Sequence, residues 1–184
     1  MAAEAVVPSE ADLIVRSRRV NEALRRRSVR LTTVESCTGG LVAHLVTEIP
    51  GSSDVFEGGL VTYSNDLKIA FADVASEVLE AHGAVSAQVA RAMAEGARHR
   101  VGVDVAVAVT GIAGPDGGTA AKPVGLTYVG IADADGVDVR RYVWGADRSG
   151  NKRLSAAAAL DLVLERLGGA QEALDPSPTE TDRP

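Results

Sequence analysis

The chain has 184 residues and a net charge of −6 at pH 7, with 46% hydrophobic but only 3% aromatic residues. That length suits one domain, and its core must be built from Val, Ala, Leu and Ile, as in layered proteins with Ala-rich helices on Val-rich strands. The acidic balance argues against wholesale capture of nucleic acid, the single cysteine excludes an intrachain disulfide, and no apolar run approaches the roughly 20 residues that span a bilayer.

Residues 1–8 read as a disordered lead. It carries acids where a signal peptide carries Lys or Arg, so a cytoplasmic protein is expected. Ser9 is a suitable N-cap for a first helix, "EADLIVRSRRVNEALRRR". "SVRLTTVES" is β-branched and reads as a strand, followed by a helix in "GGLVAHLVTEI" that Pro50-Gly51 stops. "VFEGGLVTYS" is a second strand, with Gly58-Gly59 marking a bulge or a close approach, and "NDLKIAFAD" is a short helix.

"ASEVLEAHG" is a helix closed by Gly83. Ser86 then caps a longer one in which Val89, Met93 and Ala97 share a face. "VDVAVAVTGIAG" is a buried strand running into glycines. "PVGLTYVGIAD" and "GVDVRRYVWG" form a hairpin around "ADADG", and a long Ala-Leu helix follows "GADRSGNKR". Residues 170–184 are acidic and Pro-rich and read as a disordered tail, which leaves 9–169 as the domain. The order predicts a three-layer α/β/α sandwich around a mixed, mostly parallel sheet with an antiparallel edge hairpin.

Sites in open α/β sheets gather at the carboxyl ends of strands, and four polar or glycine-rich segments fall there. In "ESCTGG", Ser36 precedes a helix start. The positive helix end suits an anion or an oxyanion, and also a plain capping serine. Cys37 competes with Ser36 as nucleophile, because a helix N-terminus favours a thiolate. In "TYSNDLK", Lys68 can serve as a base if burial lowers its pKa, with Tyr63 at the same pocket; the plainer alternative is a solvated lysine. "TGIAGPDGGTAAKPVG" presents successive backbone N–H groups suited to phosphate or carboxylate, yet it is neither a Walker A loop nor a dinucleotide fingerprint. Arg148, Lys152 and Arg153 make a local positive cluster ahead of the last helix. The three histidines are scattered and no paired metal-ligand spacing occurs, so no metal is expected.

Together "VESCTGG", "PGSSDVFEGGLVTYSNDLK", "HGAVSAQVARAMAEGAR" and "AVTGIAGPDGGTAAKPVG" resemble the C-terminal domain of the CinA proteins over roughly residues 10–168. That domain also occurs alone as a nicotinamide mononucleotide (NMN) deamidase. The resemblance implies hydrolysis of NMN to nicotinic acid mononucleotide and ammonia, without metal or cofactor, by a homodimer or higher homo-oligomer that binds neither nucleic acid nor membrane. It implies Ser36 as nucleophile, with Lys68 and Tyr63 assisting and backbone N–H groups of Thr38, Gly39 and Gly40 at the oxyanion. Thr110, Gly111, Ile112, Ala113 and Gly114, with Arg148 or Arg153, would hold the substrate and its 5′-phosphate. Two alternatives stay open: an amidohydrolase of another small amide, and a non-catalytic nucleotide-binding or regulatory module.

Overall fold

The structure, a computed structural model, describes residues 6–168. The expected tail at 170–184 and most of the expected disordered lead lie outside this range. Within it, one part of that expectation is corrected. Pro8 is buried, its carbonyl accepts a 3.4 Å hydrogen bond from Arg153, and Val7 packs beside Gly150.

The elements follow the predicted order. They are α1 (Glu10–Arg27), β1 (Leu31–Glu35), α2 (Leu41–Thr47), β2 (Phe56–Val61), α3 (Asn65–Ala72), α4 (Ser76–His82), α5 (Ala87–Val101), β3 (Val105–Gly111), β4 (Leu126–Asp133), β5 (Gly136–Val143) and α6 (Arg148–Arg166). A short 3₁₀ turn, Ser52–Asp54, precedes β2. Ser9 caps α1 through a capping box closed by Asp12, and Ser86 caps α5 through Val89 N–H.

The sheet order is β2-β1-β3-β4-β5. β1 pairs in parallel with both β2 and β3, whereas β3–β4 and β4–β5 are antiparallel, so β4 runs against the other four strands. The carboxyl ends of β1, β2 and β3 therefore meet at one end of the sheet.

Two cores flank the sheet. α1, α2 and α6 cover one face, against Val105, Val107 and Val109 of β3. α5, with residues from the α3–α4 region, covers the other, against Ala106 and Ala108. Strand alternation explains the split: β3 turns valines to one layer and alanines to the other. The small residues let α5 approach closely. At Gly96 a Cβ would lie 1.9 Å from the Ala72 carbonyl oxygen at the end of α3. Gly58-Gly59 has both predicted roles. The β1–β2 register shifts between Leu31 and Thr32, and a Cβ on Gly59 would lie 2.7 Å from Ala43 Cβ and from Thr33 Oγ1. No helix among the described residues is long and apolar enough to cross a membrane.

The Gly96 contact sets a test of this layer. Gly96→Ala must push α5 off α3, and it should lower stability by about 1–3 kcal/mol in urea unfolding. An unchanged midpoint would show that the two helices separate freely.

Candidate functional site

β1 ends in Glu35, whose side chain turns inward and is 1% exposed. Its carboxylate accepts hydrogen bonds from the N–H groups of Gly40 (3.0 Å), Val42 (3.1 Å) and Ala43 (2.8 Å). Glu35, not Ser36, therefore caps α2, because a carboxylate best satisfies several unpaired N–H groups at a positive helix end. The helix itself starts at Leu41 behind Gly40, which has positive φ and no side-chain cap of its own. The sequence left an anion, an oxyanion or a capping serine open at this terminus; an acid of the chain takes the place instead.

The expected oxyanion donors change accordingly. Gly40 N–H belongs to Glu35, and Gly39 N–H donates to the Ser36 carbonyl at 3.1 Å. Ser36 N–H donates to Val109 O at 2.9 Å, and the Cys37 N–H lies against its own sulfur. Of Thr38, Gly39 and Gly40, only Thr38 keeps an N–H without an acceptor among the described residues.

Ser36 follows β1 and is 9% exposed. Its hydroxyl lies 3.1 Å from Lys68 Nζ. Lys68 comes from the first turns of α3, which Ser64 caps by accepting from Leu67 N–H. Lys68 is 1% exposed, and its amine also reaches the carbonyls of Thr62 (2.8 Å) and Tyr63 (3.2 Å). No carboxylate forms an ion pair with it among the described residues.

Burial pushes the Lys68 pKa down from 10.5. A Cys37 thiolate would oppose this, but burial raises that thiol to about 12, so it is uncharged at neutral pH. The amine donates to the Ser36 hydroxyl and to both carbonyls. Once it has lost a proton, two N–H donors remain for the carbonyls and its lone pair can accept from the Ser36 hydroxyl. Cys37, buried and holding its proton, is not poised as a nucleophile.

A cavity of about 290 Å³ opens over this pair. Gly111, Ile112, Ala113 and Gly114 from the end of β3 line it, with Thr110 buried at its back and tied to Ala84 O at 2.8 Å. Tyr63 and Arg148 form another wall. The Tyr63 hydroxyl does not meet Lys68. It lies 3.5 Å from Arg148 Nη2, and the contact of Tyr63 with the lysine is made by its carbonyl. Arg148 is held by the Gly114 carbonyl at 2.7 Å, and buried Asn151 donates to Ala113 O at 3.0 Å, so α6 braces the glycine loop.

Arg153 is corrected. It reaches back to Pro8 and lines a different cavity, between α1, α2 and α6. Lys152, one turn after Arg148, is the second cation near the site. It lines a cavity of about 750 Å³ that shares Ala113 and Arg148 with the first, and its Nζ lies 3.7 Å from where a Cβ on Gly39 would stand.

An open α/β sheet carrying a buried serine–lysine pair at the ends of its parallel strands defines a class of site, and the comparisons give the family. The profile of the CinA C-terminal domain matches residues 15–167, and the chain belongs to that family. It is 53% identical over 144 residues to a putative competence-damage inducible protein of Moorella thermoacetica, covering 78% of this chain and 35% of that one. It is 48% identical over 148 residues to a CinA-like protein of Geobacter sulfurreducens, covering 80% and 36%. The chain thus spans about a third of the length of these relatives. Among solved structures, the competence/damage inducible protein CihA from Agrobacterium tumefaciens superposes with a TM-score of 0.83 at 40% identity, over 89% of this chain and 99% of that one. A CinA superfamily protein from Escherichia coli gives 0.79 at 29% identity, over 88% and 95%.

Two tests follow from this geometry. Glu35→Gln turns an amide NH₂ toward backbone N–H donors and should cost about 1–3 kcal/mol in urea unfolding; full stability would mean that α2 is capped by other means. Lys68→Met fills the same space without a proton site. The folded amine has a depressed pKa, so between that value and 10.5 the unfolded chain binds more protons and wild-type stability rises with pH. Any deficit of the wild type relative to Lys68→Met should be largest at low pH and close toward pH 10.5. Parallel pH curves for the two proteins would exclude the depressed amine.

Proposed function

We propose that the chain is a serine amidohydrolase and that its substrate is NMN, released as nicotinic acid mononucleotide and ammonia. The observation that carries the reading is the 3.1 Å contact between Ser36 Oγ and a lysine amine buried without a counter-charge among the described residues. A serine hydroxyl is a weak nucleophile until a base takes its proton, and a neutral lysine has the lone pair to do so.

The Ser36 proton passes to Lys68 Nζ as Oγ bonds to the carboxamide carbon. Thr38 N–H is the donor for the resulting oxyanion. Lys68 then returns the proton to the departing nitrogen, which leaves as ammonia and collapses the adduct to a serine ester. Water, deprotonated by the same amine, cleaves the ester and frees the carboxylate. The direct contact removes the need for a relay through the Tyr63 hydroxyl. Its contact with Arg148 makes it part of the binding wall.

The substrate phosphate belongs on the α6 side, where Arg148 and Lys152 stand one turn apart and open onto the adjoining cavity. At the α2 terminus it would meet the Glu35 carboxylate. A pure binding module has no use for a buried lysine held against a serine, which favours the catalytic reading.

The decisive assay is ammonia release from NMN by the full chain. The wild type should turn over, with kcat/KM rising with pH along a limb below 10.5 as Lys68 loses its proton. Ser36→Ala should lose about a thousandfold or more. Binding of NMN without ammonia release would move the chain to the nucleotide-binding class.

A further inference from the structure

Resting on that reading, we propose that the Ser36 cavity selects a cationic ring: Asp116 and Tyr63 together recognise the positive charge of an N-substituted 3-carbamoylpyridinium. The preferred substrates are then pyridinium amides rather than neutral aromatic amides.

Three observations carry this. Asp116, in the "GPDGG" turn of the glycine loop, is the one carboxylate lining the cavity among the described residues. It makes no hydrogen bond or ion pair with any of them, whereas Asp133 and Asp161 are taken up by arginines. An acid with a cap or an ion pair has structural work; Asp116 has none among the described residues and lines the cavity that holds Ser36.

The second observation is the lining aromatic. In a chain with 3% aromatic residues, Tyr63 lines this same cavity and is 60% exposed. An aromatic face attracts a cation, and the attraction grows as water leaves.

The third is the charge layout. Lys68 is a neutral amine at its working pH on the reading above, so it does not repel a cation at the reacting end. Arg148 is the permanent cation of the cavity, and it leads into the second cavity, where Lys152 follows. The lining is thus divided: a carboxylate and an aromatic ring lie in the serine cavity, Arg148 stands where it meets the adjoining one, and Lys152 follows there beside Asp147, whose carboxylate accepts from the Gly150 N–H. That division fits a zwitterion whose ring is positive and whose far end is an anion. A ring carrying no charge gains nothing from Asp116 and leaves its carboxylate to be desolvated without a partner.

The test uses the full-length Ser36→Ala chain, so that binding is read without turnover. Affinities are measured by calorimetry for NMN and for its 1,4-dihydropyridine form, which keeps the ribose and phosphate but has a neutral ring. NMN should bind about tenfold more tightly, the scale for a solvent-screened charge contact. Adding Asp116→Asn should abolish that preference while leaving the dihydropyridine affinity in place, and Asp116→Glu should restore part of it. Equal weakening of both ligands by Asp116→Asn would overturn the proposal and assign Asp116 to ribose hydroxyls or to loop structure. If neither nucleotide binds, N-methylnicotinamide is compared with nicotinamide in the same way. A preference for the cation that Asp116→Asn removes upholds charge selection and discards the mononucleotide. No preference, or no binding, discards charge selection. Failure of the ammonia assay alone, with the cation preference intact, overturns the hydrolytic reading and not this one.

Discussion

The Lys68 amine lies 1% exposed among the Ser36 hydroxyl and the carbonyls of Thr62 and Tyr63, with no ion-pairing carboxylate among the described residues. Burying an ammonium in such a place costs several kcal/mol, whereas losing its proton turns that cost into basicity. Much of the local architecture serves to hold the amine there. Ser64 starts α3 at the height where its first turns pass Ser36. β2, β1 and β3 lie side by side and in parallel, so their carboxyl ends deliver Thr62, Ser36 and Thr110 to one place. A carboxylate next to Nζ would stabilise the cation and raise the amine's pKa.

Glu35 solves a second problem at the same spot. A helix that opens next to Ser36 exposes unpaired N–H groups, and these attract whatever anion is at hand. By binding Gly40, Val42 and Ala43 itself, Glu35 takes that role from any phosphate. The cations stand on the other side, where Arg148 and Lys152 come from the start of α6. That helix is capped by Asp147 through Gly150 N–H, which offsets the poor placement of cations at a positive helix end.

The element order was readable because periodicity and punctuation agreed. Ser9, Ser86, Gly83 and the "ADADG" turn each stand at an element boundary. The gathering of Ser36, Lys68 and the Thr110–Gly114 loop at strand ends was also legible, from the rule for open sheets. Three details were not. Glu35 sits at the end of a strand, where an acid looks solvated in sequence, and only the tertiary turn shows its carboxylate facing α2. Tyr63 acts on Lys68 through its carbonyl, and residue identity says nothing about a carbonyl. Arg148, Lys152 and Arg153 form one cluster in the sequence, but a helix turns 100° per residue and sends Arg153 toward Pro8.

The position of β1 between β2 and β3 has a consequence for how the protein comes into being. Ser36 and Lys68 are 32 residues apart and belong to one contiguous stretch. Yet the strand carrying Ser36 is sealed on its second side only by β3, and the Arg30 N–H bond to Asp104 spans 74 residues. A chain emerging from the ribosome therefore carries both Ser36 and Lys68 well before it has the wall that completes their surroundings. Until the segment after β3 docks, the cavity over Ser36 and Lys68 lacks its Gly111–Gly114 wall, so the surroundings of the pair are completed late in assembly.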